Sequence, residues 1–259
     1  MDHGPTWEAL RASSLEVATD FPELGPALRE TVIEVSPVRG LSKLLGRVLQ
    51  PTWMPIEKLN QVAEGVFISS PDDAAAALDD LRAINGRNLE VGDAGAAWTW
   101  IGNRGLHILI AHRIVHRLWV SDRRPLALAM KAAMSGLGVD IHPAARFGRR
   151  IFLDHGVGLV VGETAVVEDD VSIWHGVTLG STLMEGGDRH PKVRRGAIVG
   201  AGATILGNIE IGEGAIVASG SVVLHAVPSF TVVAGNPALP KPGYRHPFDF
   251  QTNCPGTPP

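Results

Sequence analysis

Two acidic residues, Asp140 and Asp154, and two histidines, His142 and His155, lie within one short segment of the chain, GVDIHPAARFGRRIFLDHGVG. Asp154 directly precedes His155, and Asp140 lies fifteen residues upstream of His155. A carboxylate beside an imidazole fixes the tautomer of the ring and stabilises the imidazolium that forms when the ring takes up a proton. A lone histidine is more often structural, but the neighbouring acids favour catalysis. We therefore predict that His155 is a general base acting on a hydroxyl group.

A second polar cluster follows in the segment GSTLMEGGDRHPKV. Arg189 can make a bidentate contact with a carboxylate, and His190 can donate a further hydrogen bond. The pair suits the carboxylate of an amino acid. A solvated loop with two incidental charges is the competing interpretation, and the residues of this segment leave the choice open.

The elements that must position these residues show an internal repeat with a period of six. No α-helix keeps one apolar face at this period, whereas a solenoid of short parallel strands does. Three hexapeptides make one coil of about eighteen residues, with one apolar side chain of each pointing inward, so Asp140 and His155 can meet between adjacent coils. The positions in register are Ile141, Phe147, Leu153, Leu159, Ala165, Val171 and Val177, then Val193, Val199, Ile205, Ile211, Val217 and Val223.

The hydrophobic period and the glycine content both change near residue 138. Residues 1–137 carry apolar side chains at spacings of three and four, which predicts a helical assembly domain. Residues 138–238 carry the repeat, with a loop inserted at about 181–192 because Val177 and Val193 are sixteen residues apart. Residues 239–259 are rich in proline and are predicted to be a flexible tail. The expected fold class is α+β, an N-terminal α-helical domain followed by a parallel β-helix.

Composition narrows the classes of function. Hydrophobic residues make up 45% and charged residues 19%, and the net charge is only −4, so neither nucleic acid nor an anionic membrane is an expected partner. A single cysteine, Cys254, allows no intrachain disulfide and favours the cytoplasm. The most apolar stretch, residues 106–120, is interrupted by histidine and arginine, and the first residues lack an apolar segment of secretory length. We expect no membrane span and no signal peptide.

Several motifs resemble those of serine O-acetyltransferases, which belong to the hexapeptide-repeat acyltransferases. They are DIHPAA, LDHGVGLVVGETAVVEDDVSI, VTLG, GGDRHPK and VVAGNPA, and the resemblance is dense over about residues 138–238. It implies a left-handed β-helix, acetyl-CoA as the acetyl donor and L-serine as the acceptor. The implied reaction is the first step of cysteine biosynthesis from serine, by direct transfer in a ternary complex and without a metal.

The resemblance also implies roles for individual residues. His155 would remove the hydroxyl proton of serine and Asp140 would orient the imidazole. Asp154 would contact the acceptor, while Arg189 and His190 would bind its carboxylate side.

Two further sets of residues follow from the same resemblance. The aspartate with which the family holds the amino group of serine aligns here with Glu90, and Asp93 is a candidate shifted by three residues. Coenzyme A would lie in a groove between neighbouring coils, with backbone amides contacting the thioester and the pantetheine. The predicted cofactor-binding residues are Gly180, Ser181, Gly200, Ala201 and Ala218.

Assembly is a further implication of the family. We expect a homotrimer formed through the β-helix with active sites between subunits, and a hexamer formed as a dimer of trimers through the helical domains. Family members that bind the next enzyme of the cysteine pathway use a C-terminal isoleucine. This chain lacks one, so no such complex is expected.

Other acceptors and other classes of function remain open at this point. The family's LDHAT turn is here LDHGV, with Gly156 and Val157, and the glycine pair after VTL is Gly180 followed by Ser181. Homoserine, another hydroxy amino acid, an intermediate of specialised metabolism or a sugar-type hydroxyl are alternative acceptors. A metal-dependent hydratase is disfavoured, because the close pair of histidines found in zinc-binding members of this fold is absent from the sequence. A non-catalytic scaffold would have little need of this cluster of polar residues.

Overall fold

The first half of the chain is helical. The structure is a computed structural model that describes residues 4–87, 95–182 and 186–248. Short 3₁₀-helices cover Pro22–Leu24 and Ser135–Leu137, and a π-helical turn covers Arg29–Ile33. The α-helices of the described part are α1 (Gly4–Asp20), α2 (Gly25–Leu28), α3 (Pro37–Leu49), α4 (Ile56–Ser69), α5 (Pro71–Arg87), α6 (Gly95–Gly102), α7 (Arg104–Val120) and α8 (Arg124–Met134).

Helix α7 lies at the junction of the helical half and the second half. It is buried along most of its length because its sequence, RGLHILIAHRIVHRLWV, is apolar on nearly every side. The side chain of Asn103 caps its first turn by accepting a hydrogen bond from the amide of Leu106 at 2.9 Å. Two of its histidines bond to backbone carbonyls of the first coil of the second half. The relevant distances are 3.0 Å from Nε2 of His112 to Ala145 and 2.8 Å from Nδ1 of His116 to Pro143.

The second half is a parallel β-helix with three sheets. Sheet 1 contains β1, β4, β7, β10 and β13, sheet 2 contains β2, β5, β8 and β11, and sheet 3 contains β3, β6, β9, β12, β14 and β15. The strands are β1 (Asp140–Ile141), β2 (Arg146–Phe147), β3 (Phe152–Leu153), β4 (Val160–Val161), β5 (Val166–Val167), β6 (Ser172–Ile173), β7 (Thr178–Gly180), β8 (Lys192–Val193), β9 (Ile198–Val199), β10 (Thr204–Leu206), β11 (Glu210–Ile211), β12 (Ile216–Val217), β13 (Val222–Val223), β14 (Val232–Ala234) and β15 (Leu239–Lys241).

The turns between the sheets stack into three corners of the prism. The 3–1 corner joins sheet 3 to the next strand of sheet 1 and consists of residues 154–159, 174–177, 200–203 and 218–221. The 1–2 corner, between sheets 1 and 2, consists of residues 142–145, 162–165, 181–182 with 186–191, and 207–209. The 2–3 corner consists of residues 148–151, 168–171, 194–197 and 212–215.

Strand pairing shows that the coils differ in length. Val160 pairs with Thr178, eighteen residues later, which is the regular unit of three hexapeptides. Thr178 pairs with Thr204, twenty-six residues later, and the additional residues lie between the end of β7 and the start of β8. Asp140 pairs with Val160, so the first coil has twenty residues. Two coils are therefore longer than the regular unit, and each addition widens one corner, whereas Ile216 pairs with Val232 only sixteen residues later, so the last coil is shorter.

The widened turn of the first coil carries His155. The second residue of each strand faces inward. These residues are Leu153 on β3 and Val161 on β4, and they are eight residues apart. The predicted unbroken period of six from Ile141 to Val177 is wrong at this turn. Each hexapeptide has two buried positions, and Leu159 is fully buried one residue before β4. In the sequence, the apolar positions six apart therefore shift at Leu159 from one of these buried positions to the other, and no gap in the pattern marks the shift.

The segment after the last coil folds back onto sheet 3. Strand β15 pairs antiparallel with β14. Nε2 of His246 lies 2.9 Å from the carbonyl oxygen of Gly196, and the ring of Phe248 stacks on Trp174 with centroids 6.4 Å apart. Residues 239–248 thus pack on the coil, where the sequence predicted a flexible tail, because their aromatic side chains cover apolar residues of sheet 3. The rest of that predicted tail lies outside the described residues.

Candidate active site

His155 lies on the 3–1 corner and is accessible to solvent. Its backbone has a φ of +58°, in the left-handed region that disfavours residues other than glycine, and Gly156 follows with a φ of +76°. The side chain is 58% exposed, and its Nε2 lies 3.4 Å from Oδ2 of Asp154. This distance is that of an ion pair rather than of a short hydrogen bond. The imidazole can therefore accept a proton with a carboxylate beside it.

Asp140 begins β1 next to the turn of His155. The amide of Gly158 in that turn donates a hydrogen bond to the carbonyl of Gly138 at 2.7 Å. The carboxylate of Asp140 forms a 2.5 Å ion pair with Lys131 on α8. Within the described chain, the carboxylate that approaches His155 is therefore that of Asp154. The predicted role of Asp140 in orienting the imidazole stays a prediction.

The 1–2 corner holds the predicted carboxylate-binding pair. The guanidinium of Arg189 donates to Oε2 of Glu163 at 2.9 Å and to the carbonyl of Gly187 at 3.0 Å. The ring of His190 lies against Gly162, where a Cβ atom would come within 1.9 Å of the imidazole, so only glycine leaves room for the ring. Both residues belong to the end of the inserted segment and contact the 162–165 turn of the preceding coil.

The two clusters lie at different corners of the prism. His155 follows β3 and precedes β4, whereas Arg189 and His190 contact the turn that follows β4. Sheet 1 separates the two corners, so a single chain does not bring His155 together with Arg189 and His190. Glu90 and Asp93, the predicted partners of the amino group, lie outside the described residues.

The predicted coenzyme residues fall mainly on the corner of His155. Gly200, Ala201 and Ala218 occupy the 3–1 corner in later coils, while Gly180 ends β7 and Ser181 begins the inserted segment. A column of glycines with positive φ lies beside them, since a Cβ on one would touch the next at 3.2 to 3.4 Å. This corner therefore exposes backbone at these glycine positions along its length. The column consists of Gly158, Gly176 and Gly202.

Comparison with known families covers both halves of the chain. A family model described as "Serine acetyltransferase, N-terminal" matches residues 6–94. A second, described as "Bacterial transferase hexapeptide (six repeats)", matches residues 190–225. The serine acetyltransferase of Salmonella typhimurium is 43% identical over 241 residues, covering 92% of this chain and 88% of the relative. The chain belongs to the serine acetyltransferase family.

Solved structures of the family have the same architecture. The serine acetyltransferase of Brucella abortus in complex with coenzyme A has a TM-score of 0.88 at 38% identity, covering 93% of this chain and 95% of that one. The soybean serine acetyltransferase complexed with serine has a TM-score of 0.88 at 44% identity, covering 93% and 99%. The predicted fold, a helical domain followed by a left-handed parallel β-helix, is thereby confirmed.

One departure from the family pattern has a local explanation. At Gly156, in the LDHGV turn, a Cβ atom would lie 2.5 Å from Cδ1 of Ile108 on α7. Ile108 therefore fills the space that the side chain of the family's alanine would need. Val157 is 47% exposed and its side chain lies near Gly138. The change at Gly156 accordingly adjusts the packing between α7 and the coil.

The serine acetyltransferase fold also positions three residues that sequence reasoning did not assign to the site. The ring of His175, one coil after His155, lies with its centroid 5.7 Å from that of His155. Glu163 and Thr164 hold Arg189 and His190 by hydrogen bonds. The two histidines lie side by side because they are twenty residues apart, which is the length of the first coil. That length becomes known only from the strand pairing.

In residues 4–87, 95–182 and 186–248, no group of three or more histidine, cysteine, aspartate or glutamate side chains is arranged to hold a metal ion. Across the same ranges, no helix is both long and apolar enough to span a bilayer.

Proposed function

We propose that this chain transfers the acetyl group of acetyl-CoA to the side-chain hydroxyl of L-serine. The observation that carries the proposal is the exposed imidazole of His155 beside Asp154, on the widened corner of a β-helix of the serine acetyltransferase family. The corner exposes backbone for the donor, and the 1–2 corner carries a guanidinium and an imidazole suited to an amino-acid carboxylate.

The chemistry needs one proton acceptor and no covalent enzyme intermediate. The imidazole of His155 takes the proton of the serine hydroxyl while the serine oxygen attacks the thioester carbonyl carbon. The carbon–sulfur bond then breaks, and the imidazolium returns its proton to the departing thiolate of coenzyme A. Asp154 stabilises the imidazolium between these two steps, because its negative charge lies 3.4 Å from the ring.

A homotrimer completes the site in this proposal. Around a threefold axis, the 3–1 corner of one chain can meet the 1–2 corner of the next. His155 would then face Arg189 and His190 of a neighbouring subunit, and L-serine would bind between them. We extend the proposal to a hexamer joined through the helical halves, which expose the large apolar side chains of Trp53, Ile68 and Trp98. A cytoplasmic location stays a prediction from the cysteine content.

The direct test is release of free thiol from acetyl-CoA by the purified chain. We expect turnover with L-serine and much slower turnover with L-homoserine. Turnover with homoserine alone, or with neither amino acid, would contradict the proposed acceptor.

Substitution of the base tests the mechanism. His155→Ala is expected to lower kcat by about a hundredfold to ten-thousandfold while the affinity for coenzyme A persists, because only proton transfer is lost. His225→Ala is the matched control, since it removes an exposed imidazole that follows β13 in the last coil. An equal loss in the control, or near-native turnover by His155→Ala, would show that the base is assigned wrongly.

A further inference from the structure

The hydroxyl of Thr164 contacts both predicted carboxylate-binding residues, and the carboxylate of Asp188 is a further partner. Oγ1 of Thr164 accepts from the backbone amides of Arg189 and His190 at 3.0 and 3.1 Å. It also lies 2.9 Å from Nδ1 of His190, to which it can donate its one proton. This one side chain therefore fixes the backbone of both residues and the ring of one.

The same contacts determine where His190 carries its proton. The backbone amide of Thr164 lies 3.2 Å from Nδ1 of His190 and can only donate. Nδ1 is thus the acceptor, and the neutral ring has its hydrogen on Nε2. Protonating Nδ1 would set two N–H groups against each other. Burial, with the charges of Arg189 and Lys192 as further causes, lowers the pKa of His190 in the same direction.

Arg189 is held by a different residue of the same turn. Its guanidinium donates to Glu163 at 2.9 Å, and this contact lowers the pKa of the Glu163 carboxyl. The cluster therefore offers an acceptor one permanent positive charge and one neutral N–H donor. Within the described part of the chain, no hydrogen bond engages Nε2 of His190, so this N–H is left for a ligand.

We propose that Thr164 is a positioning residue that keeps His190 neutral with its proton on Nε2, so that the acceptor's carboxylate receives a hydrogen bond from His190 and its counter-charge from Arg189. The proposal rests on the proposed function, because it needs an acceptor that carries a carboxylate. Because His190 then stays neutral near pH 7, the affinity of the site for a carboxylate should not change with pH in that range.

Nitrogen chemical shifts of histidine side chains test the inference without any substrate. In the full chain labelled with ¹⁵N-histidine, and with His190→Gln to assign the signal, we expect the Nε2–H tautomer and a pKa below the ordinary value of histidine. Thr164→Val keeps the shape of the side chain and removes the hydroxyl, so the signal should move toward a mixture of tautomers. Thr164→Ser should restore it.

Kinetics test the positioning role. Thr164→Val is expected to raise KM for L-serine about tenfold, the cost of roughly one hydrogen bond to a charged group, with a smaller change in kcat and none in KM for acetyl-CoA. Thr164→Ser should return KM to near the native value. Thr204→Val is the matched control on β10 of sheet 1 and should behave like the native chain.

Each unfavourable outcome has a distinct meaning. A proton on Nδ1 of His190 in the native chain overturns the inference, and so does a native KM for serine in Thr164→Val. A native chain that shows the Nε2–H tautomer but no turnover with L-serine would sink the proposed function instead. The position of the proton would then stand without its role in binding.

Discussion

Arg113 on α7 donates two hydrogen bonds, at 2.8 and 2.5 Å, to Oδ2 of Asp80 on α5, and both side chains are buried. The other oxygen of Asp80 accepts from the amide of Ile151 at 2.9 Å, and Arg113 also donates to the carbonyl of Gly148 at 2.7 Å. One ion pair therefore joins two helices to the 2–3 corner of the first coil. This corner directly precedes β3, the strand after which His155 lies.

Breaking this pair should destabilise the junction. Asp80→Asn leaves the charge of Arg113 buried without its counter-ion, and we expect a loss of about 3–5 kcal/mol in the free energy of unfolding, measured by urea denaturation. Glu8→Gln is the control, because it breaks an exposed pair with Arg11 at 4.0 Å and should change stability little. Similar small losses in the two variants would mean that the buried pair does not anchor the helices.

His112 should make the free energy of unfolding depend on pH. Burial lowers its pKa to about 3, with His116, Arg113 and His142 as further causes, and the ring packs on Phe147 with centroids 4.8 Å apart. The unfolded chain therefore binds this proton between about pH 6.5 and 3 while the folded chain does not. The contribution of His112 to the free energy of unfolding is fully present above pH 6.5. It is lost as the pH falls below that value, at about 1.4 kcal/mol per pH unit.

A difference measurement isolates this histidine. Burial raises the pKa of Asp80 to about 6, and that acid changes stability in the opposite direction, since its contribution is lost as the pH rises. The native chain and His112→Gln both contain Asp80, so we compare their unfolding free energies between pH 4.5 and 7. The gap between them should narrow on acidification. A gap that is constant with pH would show that His112 is not held neutral.

Gly105 should be required for the docking of α7. A Cβ atom there would lie 1.8 Å from the carbonyl oxygen of Leu153, the residue directly before Asp154 and His155. Alanine favours a helix by about 1 kcal/mol over glycine, so Gly105→Ala would stabilise the chain if only helix propensity mattered. We expect destabilisation and a lower kcat instead, because the helix must move away from the turn that carries His155.

A matched glycine provides the control for that substitution. Gly65 lies within α4, and a Cβ atom there meets nothing within 4 Å. Gly65→Ala should therefore raise the melting temperature and leave kcat unchanged. If Gly105→Ala behaves in the same way, the contact between α7 and the turn is not a constraint on the site.

The hexapeptide period was sufficient to predict the β-helix, because a repeat that recurs on every coil specifies its own packing. It could not reveal the widened turn at His155, since Leu159 occupies the other buried position of its hexapeptide and keeps the pattern unbroken. The stacking of Phe248 on Trp174 could not be predicted either, because the composition of a proline-rich segment does not indicate which distant aromatic residue it contacts. Periodic contacts can be read from sequence, whereas single long-range contacts require the coordinates.

The residues of the candidate site divide in the same way. His155, Arg189 and His190 stand in motifs whose residue types suggest their chemistry. Glu163 and Thr164 lie in a stretch that reads as an ordinary corner of the repeat, and they acquire their roles only when the inserted segment folds back over the preceding coil.

A site shared between subunits is the central claim, and mixing two inactive variants tests it most directly. His155→Ala and Arg189→Ala, carrying different affinity tags, are expressed together, and trimers that retain both tags are compared with each variant alone. In every trimer that contains both variants, about one interface in three would pair an intact His155 with an intact Arg189. We predict recovery of about that fraction of native turnover with L-serine. Mixed trimers as inactive as the separate variants would contradict the claim, because both residues would then act within one chain.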